Sequence, residues 1–150
     1  MPTNADLYDQ DFFQWTQTTA AQIRGGKWQD IDLASVAEEL ESLGKRDWRE
    51  LGSRLQVLMT HLLKWRYQAS ERSRRVRGWQ NTIEDQRTEI AVLLRQSPSL
   101  RPHVPDLVAE RYLNAVRKAA RETGLPRETF PPTCPWTAEQ LLDAEFWPEE

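Results

Sequence analysis

The feature that most constrains this chain is a row of apolar residues at helical spacing between Leu33 and Trp65. Gly44 fills the one gap in the row, whose apolar members are Leu33, Ala37, Leu40, Trp48, Leu51, Leu55, Leu58, Leu62 and Trp65. Steps of three and four residues predict a single amphipathic helix whose stripe is buried along its whole length. A helix of about 35 residues is roughly 50 Å long, so we expect it to be the axis of the fold.

Shorter helices are predicted before and after this one. The first runs from Asp9, as its cap, to Arg24, and the Gly25-Gly26 pair ends it. A polar turn is predicted over residues 68–74. Apolar periodicity with Gly and Pro positions then predicts three more helices, over residues 76–96, 105–123 and 137–144.

Between the last two helices the chain holds Pro126, Pro131, Pro132 and Pro135, which predict an extended strap. Phe130 is expected to pin this strap to the helices. No segment shows a comparable strand pattern. The sequence therefore predicts an all-α fold, a small helical bundle built around one long central helix, with a proline-rich strap and a short C-terminal helix. The length of 150 residues predicts that 1–150 is a single helical domain.

Composition points to the cytoplasm. The chain has one cysteine, Cys134, and its first ten residues lack the basic region and apolar run of a signal peptide. No run of 18 apolar residues is present, so we expect no membrane association through a spanning helix.

Six blocks of the sequence carry a family resemblance. They are LYDQDFFQW at 7–15, DLASVAEELESLG at 32–44, HLLKWRYQ at 61–68, GWQNTIEDQR at 78–87, SPSL at 97–100 and CPWTAEQLLDAEFWPE at 134–149. Together they resemble the bacterial family catalogued as domain of unknown function 29, which is abundant in cyanobacteria. The resemblance implies a small all-helical protein, and it implies no activity, cofactor or catalytic residue.

Charge is unevenly distributed along the chain. Residues 1–60 carry ten acidic and six basic side chains, residues 61–100 four and eight, and residues 101–150 nine and six. The basic segment of the middle third consists of Lys64, Arg66, Tyr67, Arg72, Arg74, Arg75 and Arg77. Arginines interleaved with aromatic rings are typical of nucleic-acid or anion patches. The same residues also fit a solvated corner between two helices, and both interpretations stay open.

A second and weaker candidate is a polar site formed by His61 and Lys64, one turn apart on the long helix. Glu38 and Glu41 are further oxygen donors, but 23 residues of helix separate Glu38 from His61 by about 34 Å. We therefore expect no metal site and no catalytic residue.

Trp15, Trp48, Trp65 and Trp79 fall on predicted apolar rows, so the core accounts for them and no cofactor is expected. Without a reactive cluster, the pattern favours a non-enzymatic helical module that binds a protein partner or forms a homo-oligomer. The alternative is a nucleic-acid-associated protein that uses the basic segment.

Overall fold

The computed structural model describes residues 3–149, and all regular secondary structure within them is helical. The α-helices are α1 (Asn4–Gln10), α2 (Phe12–Arg24), α3 (Leu33–Tyr67), α4 (Ala69–Gln96), α5 (Val104–Thr123) and α6 (Ala138–Leu142). Short 3-10 helices occupy Trp28–Asp30, Pro98–His103 and Arg127–Thr129. The predicted all-α fold and its long helix are confirmed. No helix within residues 3–149 is both long and apolar enough to cross a membrane.

Contacts between residues divide the chain into two compact units, residues 1–46 and residues 47–150. We refer to them as the amino-terminal unit and the carboxy-terminal unit. Helix α3 contributes its first fourteen residues to the former and the remainder to the latter. The expectation of a single domain stays a prediction.

A buried asparagine organises the amino-terminal unit. The Asn4 amide nitrogen donates to Thr19 Oγ1 at 2.8 Å and to Gln22 Oε1 at 3.2 Å. Its oxygen accepts from Trp15 Nε1 at 3.1 Å and from the Asp32 backbone N–H at 2.9 Å. These four bonds use both donors and both lone pairs of the amide. Asn4 thereby joins α1, α2 and the start of α3.

The predicted first helix is wrong in its boundary, because Asp11 divides it in two. The Asp11 backbone N–H donates to Leu7 O and closes α1, while its side chain accepts from Gln14 N and caps α2. A capping box at Thr3 starts α1 earlier than the predicted Asp9 cap. Two aspartates with capping chemistry stand close together here, and the later one caps a helix.

The stripe of α3 is buried in only one of its halves. Leu51, Leu55, Leu58 and Leu62 are fully buried in the carboxy-terminal unit. Leu33 and Leu40, by contrast, are 64% and 63% exposed, so the prediction of a stripe buried throughout is wrong.

The contacts that α3 makes inside the amino-terminal unit explain this exposure. Ser35 is the buried residue there, and Glu39 accepts a hydrogen bond from Tyr8 on α1 at 2.8 Å. At 3.6 residues per turn, Ser35 and Glu39 lie about 100–160° around the helix from Leu33 and Leu40. The unit therefore packs on another face of α3 and leaves the leucines uncovered.

The carboxy-terminal unit has a continuous hydrophobic core. Its buried members come from α3, α4, α5, the strap and α6, and include Leu58, Leu62, Ile83, Ile90, Leu107, Tyr112, Phe130 and Leu141. Helix α5 starts with a proline in its first turn and ends at Gly124, whose φ of +76° suits a residue without Cβ. Both ends agree with the sequence prediction.

The strap and the last helix also follow the prediction closely. Phe130 is buried and anchors the strap, and Thr137 forms a capping box with Gln140 at the start of α6. Helix α6 ends at Leu142, before the predicted Ala144.

A buried arginine that sequence analysis missed holds the C-terminal segment in place. Arg87 on α4 donates from Nε to Leu141 O at 2.8 Å, and from its terminal nitrogens to Phe146 O and Gln140 O at 2.8 and 3.3 Å. Two of these carbonyls, those of Gln140 and Leu141, belong to the last turn of α6, where backbone acceptors outnumber the helix's own donors. Arg87 also faces the Trp147 ring at 5.7 Å.

Candidate functional site

The basic segment lies where α3 ends and α4 begins. A polar turn was predicted over residues 68–74, but α4 starts at Ala69 and only Gln68 separates the two helices. The prediction is wrong because a polar sequence does not by itself indicate a turn. Residues 68–74 contain no Gly or Pro, and Ala, Glu and Arg favour helix, so a polar sequence here produces an exposed helix.

Arg72 is half-buried and bonded to the end of α3. Its guanidinium donates to the Trp65 carbonyl, with Nε at 3.0 Å, and lies 5.1 Å from the centre of the Trp65 ring. That carbonyl belongs to the last turn of α3, where backbone acceptors lack helical partners. Arg72 therefore stabilises the junction of the two helices.

Lys64 is also engaged. It forms an ion pair with Glu122 of α5, and its side chain is only 11% exposed. Burial by itself would raise the pKa of Glu122, but the hydrogen bond from Lys64 and the charges of Lys64 and Lys118 outweigh it and lower that pKa. This pair links the C-terminal ends of α3 and α5.

Tyr67 packs against the proline-rich strap. Its ring meets Phe130 edge-on at 5.5 Å, and the Arg66 guanidinium lies 4.8 Å from the ring centre. A stacking platform for a nucleobase needs a free ring face. The face of Tyr67 near Arg66 is covered by that cation.

The most exposed members of the basic segment lie on the first turns of α4. Arg74 and Arg75 have side chains 79% and 66% exposed, and Arg77 is exposed as well. Glu71 Oε2 lies 3.7 Å from Arg74 Nη1 and 3.8 Å from Arg75 Nε. This carboxylate partly neutralises the positive field that an anion would meet.

A polar cleft of about 510 Å³ opens beside these residues. It is lined by Lys64, Gln68, Glu71, Arg75, Trp79 and Glu122. Two carboxylates face two cations within it, so its charge is balanced. The structure thus brings part of the basic segment together with acidic groups from α4 and α5.

His61 and Lys64 share this neighbourhood, since the charges of both Lys64 and Glu122 act on the imidazole. His61 Nδ1 lies 2.9 Å from Val57 O. Because a carbonyl oxygen can only accept, Nδ1 carries the proton and donates it. Burial, followed by the charge of Lys64, lowers the pKa of His61 despite the opposing effect of the Val57 hydrogen bond. The ring is favoured in its neutral form.

An apolar cleft of about 470 Å³ lies between α5 and the strap. Tyr112, Leu113, Cys134 and Trp136 are among its lining residues. Burial raises the pKa of the Cys134 thiol, which disfavours the nucleophilic thiolate. The Tyr112 hydroxyl donates to Pro131 O at 2.7 Å and ties the strap to α5.

The main surface feature that sequence analysis missed lies in the amino-terminal unit. Of the eight large hydrophobic side chains exposed within residues 3–149, seven belong to this unit. We call them the exposed apolar group: Phe12, Phe13, Ile23, Trp28, Leu33, Leu40 and Leu43. Leu113 is the eighth. A signal was present in the sequence, because adjacent pairs such as Phe12-Phe13 supply more apolar residues than one buried stripe accommodates.

Acidic side chains accompany the exposed apolar group. Residues 1–46 hold eight acidic and four basic residues, a net charge of −4. The Tyr8 hydroxyl donates to Glu39, and this bond raises the pKa of Tyr8 to about 12. The rings of Tyr8, Phe12 and Trp15 pack together, with centres 4.7–6.0 Å apart.

Comparison with known proteins adds the family. A family model for the domain of unknown function DUF29 matches residues 7–147. The chain belongs to the DUF29 family. The match includes both units of this DUF29 chain and confirms the resemblance found in its sequence. No curated protein and no solved structure matches the chain.

Proposed function

We propose that this DUF29 chain is a non-enzymatic interaction module whose amino-terminal unit binds a partner protein through the exposed apolar group. The observation that carries the proposal is the imbalance within that unit. Among its described residues, Trp15 and Ile31 are the buried large hydrophobic side chains, whereas seven others are exposed. Exposed apolar residues gathered in one small unit are typical of protein-binding surfaces.

The size of the amino-terminal unit supports the same proposal. Chains of about 40 residues rarely bury enough apolar surface to be stable without a disulfide, a metal or a partner. Here, polar residues supply part of the interior, since Asn4, Thr19 and Ser35 are all buried. A partner that covers the exposed apolar group would add the hydrophobic burial that the unit lacks.

The chemistry of the carboxy-terminal unit supports a non-enzymatic role. Its candidate reactive groups are committed to the fold: His61 donates to Val57 O, Lys64 pairs with Glu122, and burial raises the pKa of Cys134. In this proposal the carboxy-terminal unit serves as scaffold.

Capture from a cytosolic extract of the host tests the proposal, in line with the expected cytoplasmic location. The bait variants are Phe13→Ser/Trp28→Ser/Leu40→Ser, which makes three exposed positions polar, and the control Leu113→Ser in the other unit. We expect wild type and Leu113→Ser to retain the same partner and the triple variant to lose it. Equal capture by all three baits would contradict the proposal.

Self-association is the other form that such a module can take, and light scattering distinguishes it. A monomeric wild-type particle with a captured partner supports binding to another protein. A dimer that the triple variant converts to a monomer indicates that the exposed apolar group binds a second copy.

We propose nucleic-acid binding as the alternative function, on the strength of the exposed Arg74, Arg75 and Arg77 on α4. Binding of a labelled strand should then weaken steeply with salt, because neutralised phosphates release counterions. An Arg74→Ala/Arg75→Ala variant should bind the strand more weakly, and its affinity should depend less steeply on salt concentration. Equal binding by this variant, or no binding at low salt, would remove the alternative.

A further inference from the structure

We infer that the partner segment is an amphipathic helix with basic residues beside its apolar stripe, and that it docks along the first turns of α3. This inference rests on the proposed function and specifies its partner. It concerns one part of the exposed apolar group, namely the leucines of α3.

The apolar residues of α3 in the amino-terminal unit have the spacing of a helix-docking seam. Leu33, Val36, Leu40 and Leu43 stand at positions i, i+3, i+7 and i+10. That is the a and d pattern of two heptads, which receives the side chains of a neighbouring helix as knobs into holes. Leu33, Leu40 and Leu43 are exposed and Val36 is half-buried. Among residues 3–46, no helix is packed over the seam, as the exposure of its leucines shows.

Small residues flank one side of the seam. Ala37 and Gly44 follow Val36 and Leu43 directly and are exposed. A Cβ added at Gly44 would meet no atom within 4 Å. With the knobs of a second helix inserted between the leucines, small neighbours allow the two helix axes to approach closely.

The other flank of the seam is acidic, and this determines the chemistry of the partner. Asp32 and Glu39 occupy the g positions before Leu33 and Leu40, and Glu39 is half-buried. Charges beside a helix seam select partners of opposite sign. A second copy of this unit, with its net charge of −4, would meet like charge. A helix with Lys or Arg beside its stripe gains attraction instead.

Synthetic three-heptad peptides test the inference against the full chain by fluorescence anisotropy. Two carry Leu at a and d and differ at e and g, with Lys in one and Glu in the other. A third has the composition of the Lys peptide in scrambled order. We expect the Lys peptide to bind at least about tenfold more tightly than the Glu and scrambled peptides, with an affinity that falls as salt rises. Equal binding of the Lys and Glu peptides overturns the inference.

Variants of the chain locate the site. Leu40→Asp should weaken binding of the Lys peptide at least about tenfold, and the matched control Leu113→Asp should leave it unchanged. Helical circular dichroism confirms that the variants fold. Glu39→Gln removes a charge from the flank, keeps an acceptor for the Tyr8 hydroxyl, and should reduce the preference for the Lys peptide over the Glu peptide. Glu38→Gln, at an exposed position on the opposite side of α3, is the control and should keep the wild-type preference. A wild-type preference in Glu39→Gln, or equal binding by Leu40→Asp, contradicts the assigned site.

The outcomes separate this inference from the proposed function. If no peptide binds while the triple variant still loses its captured partner, the inference fails and the proposed function stands. A wild-type dimer that Leu40→Asp dissociates places a second copy on the seam and overturns the inference as well. If capture is unaffected by the triple variant, the proposed function itself fails.

Discussion

The two units of this chain use the same helix in opposite ways. In the carboxy-terminal unit, leucines of α3 such as Leu55 and Leu58 are fully buried among α4, α5 and the strap. In the amino-terminal unit, Leu33 and Leu40 belong to the same helical row of apolar residues, yet they are mostly exposed. The difference teaches that apolar periodicity marks one face of a helix, whereas the neighbouring elements decide whether that face is covered.

The sharpest test of this comparison truncates one leucine in each unit. Leu58→Ala should lower the free energy of unfolding by about 3–4 kcal/mol, because it removes packed methyl groups and leaves a cavity. Leu40→Ala should change it by less than about 0.5 kcal/mol, since the side chain is 63% exposed. Urea unfolding followed by circular dichroism measures both values. Similar losses for the two variants would break the comparison.

Arg87 provides the next largest effect, within the carboxy-terminal unit. Arg87→Leu should lower the free energy of unfolding by about 3 kcal/mol. Three buried or half-buried carbonyls at the C-terminal end lose their charged donor in this variant. Arg87→Lys keeps the charge without the planar fork and should recover part of the loss. Urea unfolding again supplies the values, and an unchanged midpoint for Arg87→Leu would show that these bonds contribute nothing to stability.

Asn4 is the corresponding polar anchor of the amino-terminal unit. Asn4→Ala removes four hydrogen bonds and should lower the stability of this unit by about 2 kcal/mol. Faster amide exchange in α2, with α4 unchanged, is the expected sign. Gln10→Ala, at an exposed position of α1, is the control and should leave α2 unaffected. If Asn4→Ala accelerates α4 equally, the two units do not open separately.

The smallest expected effect is a pH dependence of the carboxy-terminal unit. Because folding lowers the pKa of His61 below its usual 6.5, the stabilising contribution of the neutral ring is complete above that pH and is lost as the pH falls through the folded pKa. The urea midpoint should therefore decrease between about pH 7 and about pH 5. His61→Gln should flatten this slope. A slope in His61→Gln equal to that of the wild type would contradict the assignment to His61.

Features with local signals were predictable from the sequence. Pro105 and Gly124 mark the ends of α5, and the Thr137 and Gln140 spacing marks the start of α6, because each acts on residues within a few positions. The long helix followed from its periodicity alone. Polarity was a poorer guide: residues 68–74 are polar because they are exposed, and they are helical apart from Gln68.

Features that depend on distant partners were not predictable. Asn4 and Arg87 look ordinary in the sequence, because their hydrogen bonds join residues 11 to 28 and 53 to 59 positions away. The candidate sites divide in the same way. The basic segment was identified by composition, but the engagement of Lys64 by Glu122 of α5 emerges only in the folded chain.

Hydrogen exchange of the unmodified chain, followed by mass spectrometry, tests the central claim most directly. If the amino-terminal unit lacks hydrophobic burial and presents its leucines to a partner, its amides should open at free energies at least about 2 kcal/mol below those of the core helices. We predict fast exchange in α2 and over residues 33–43 of α3, and slow exchange over residues 51–63. Equal protection along both halves of α3 would contradict the account.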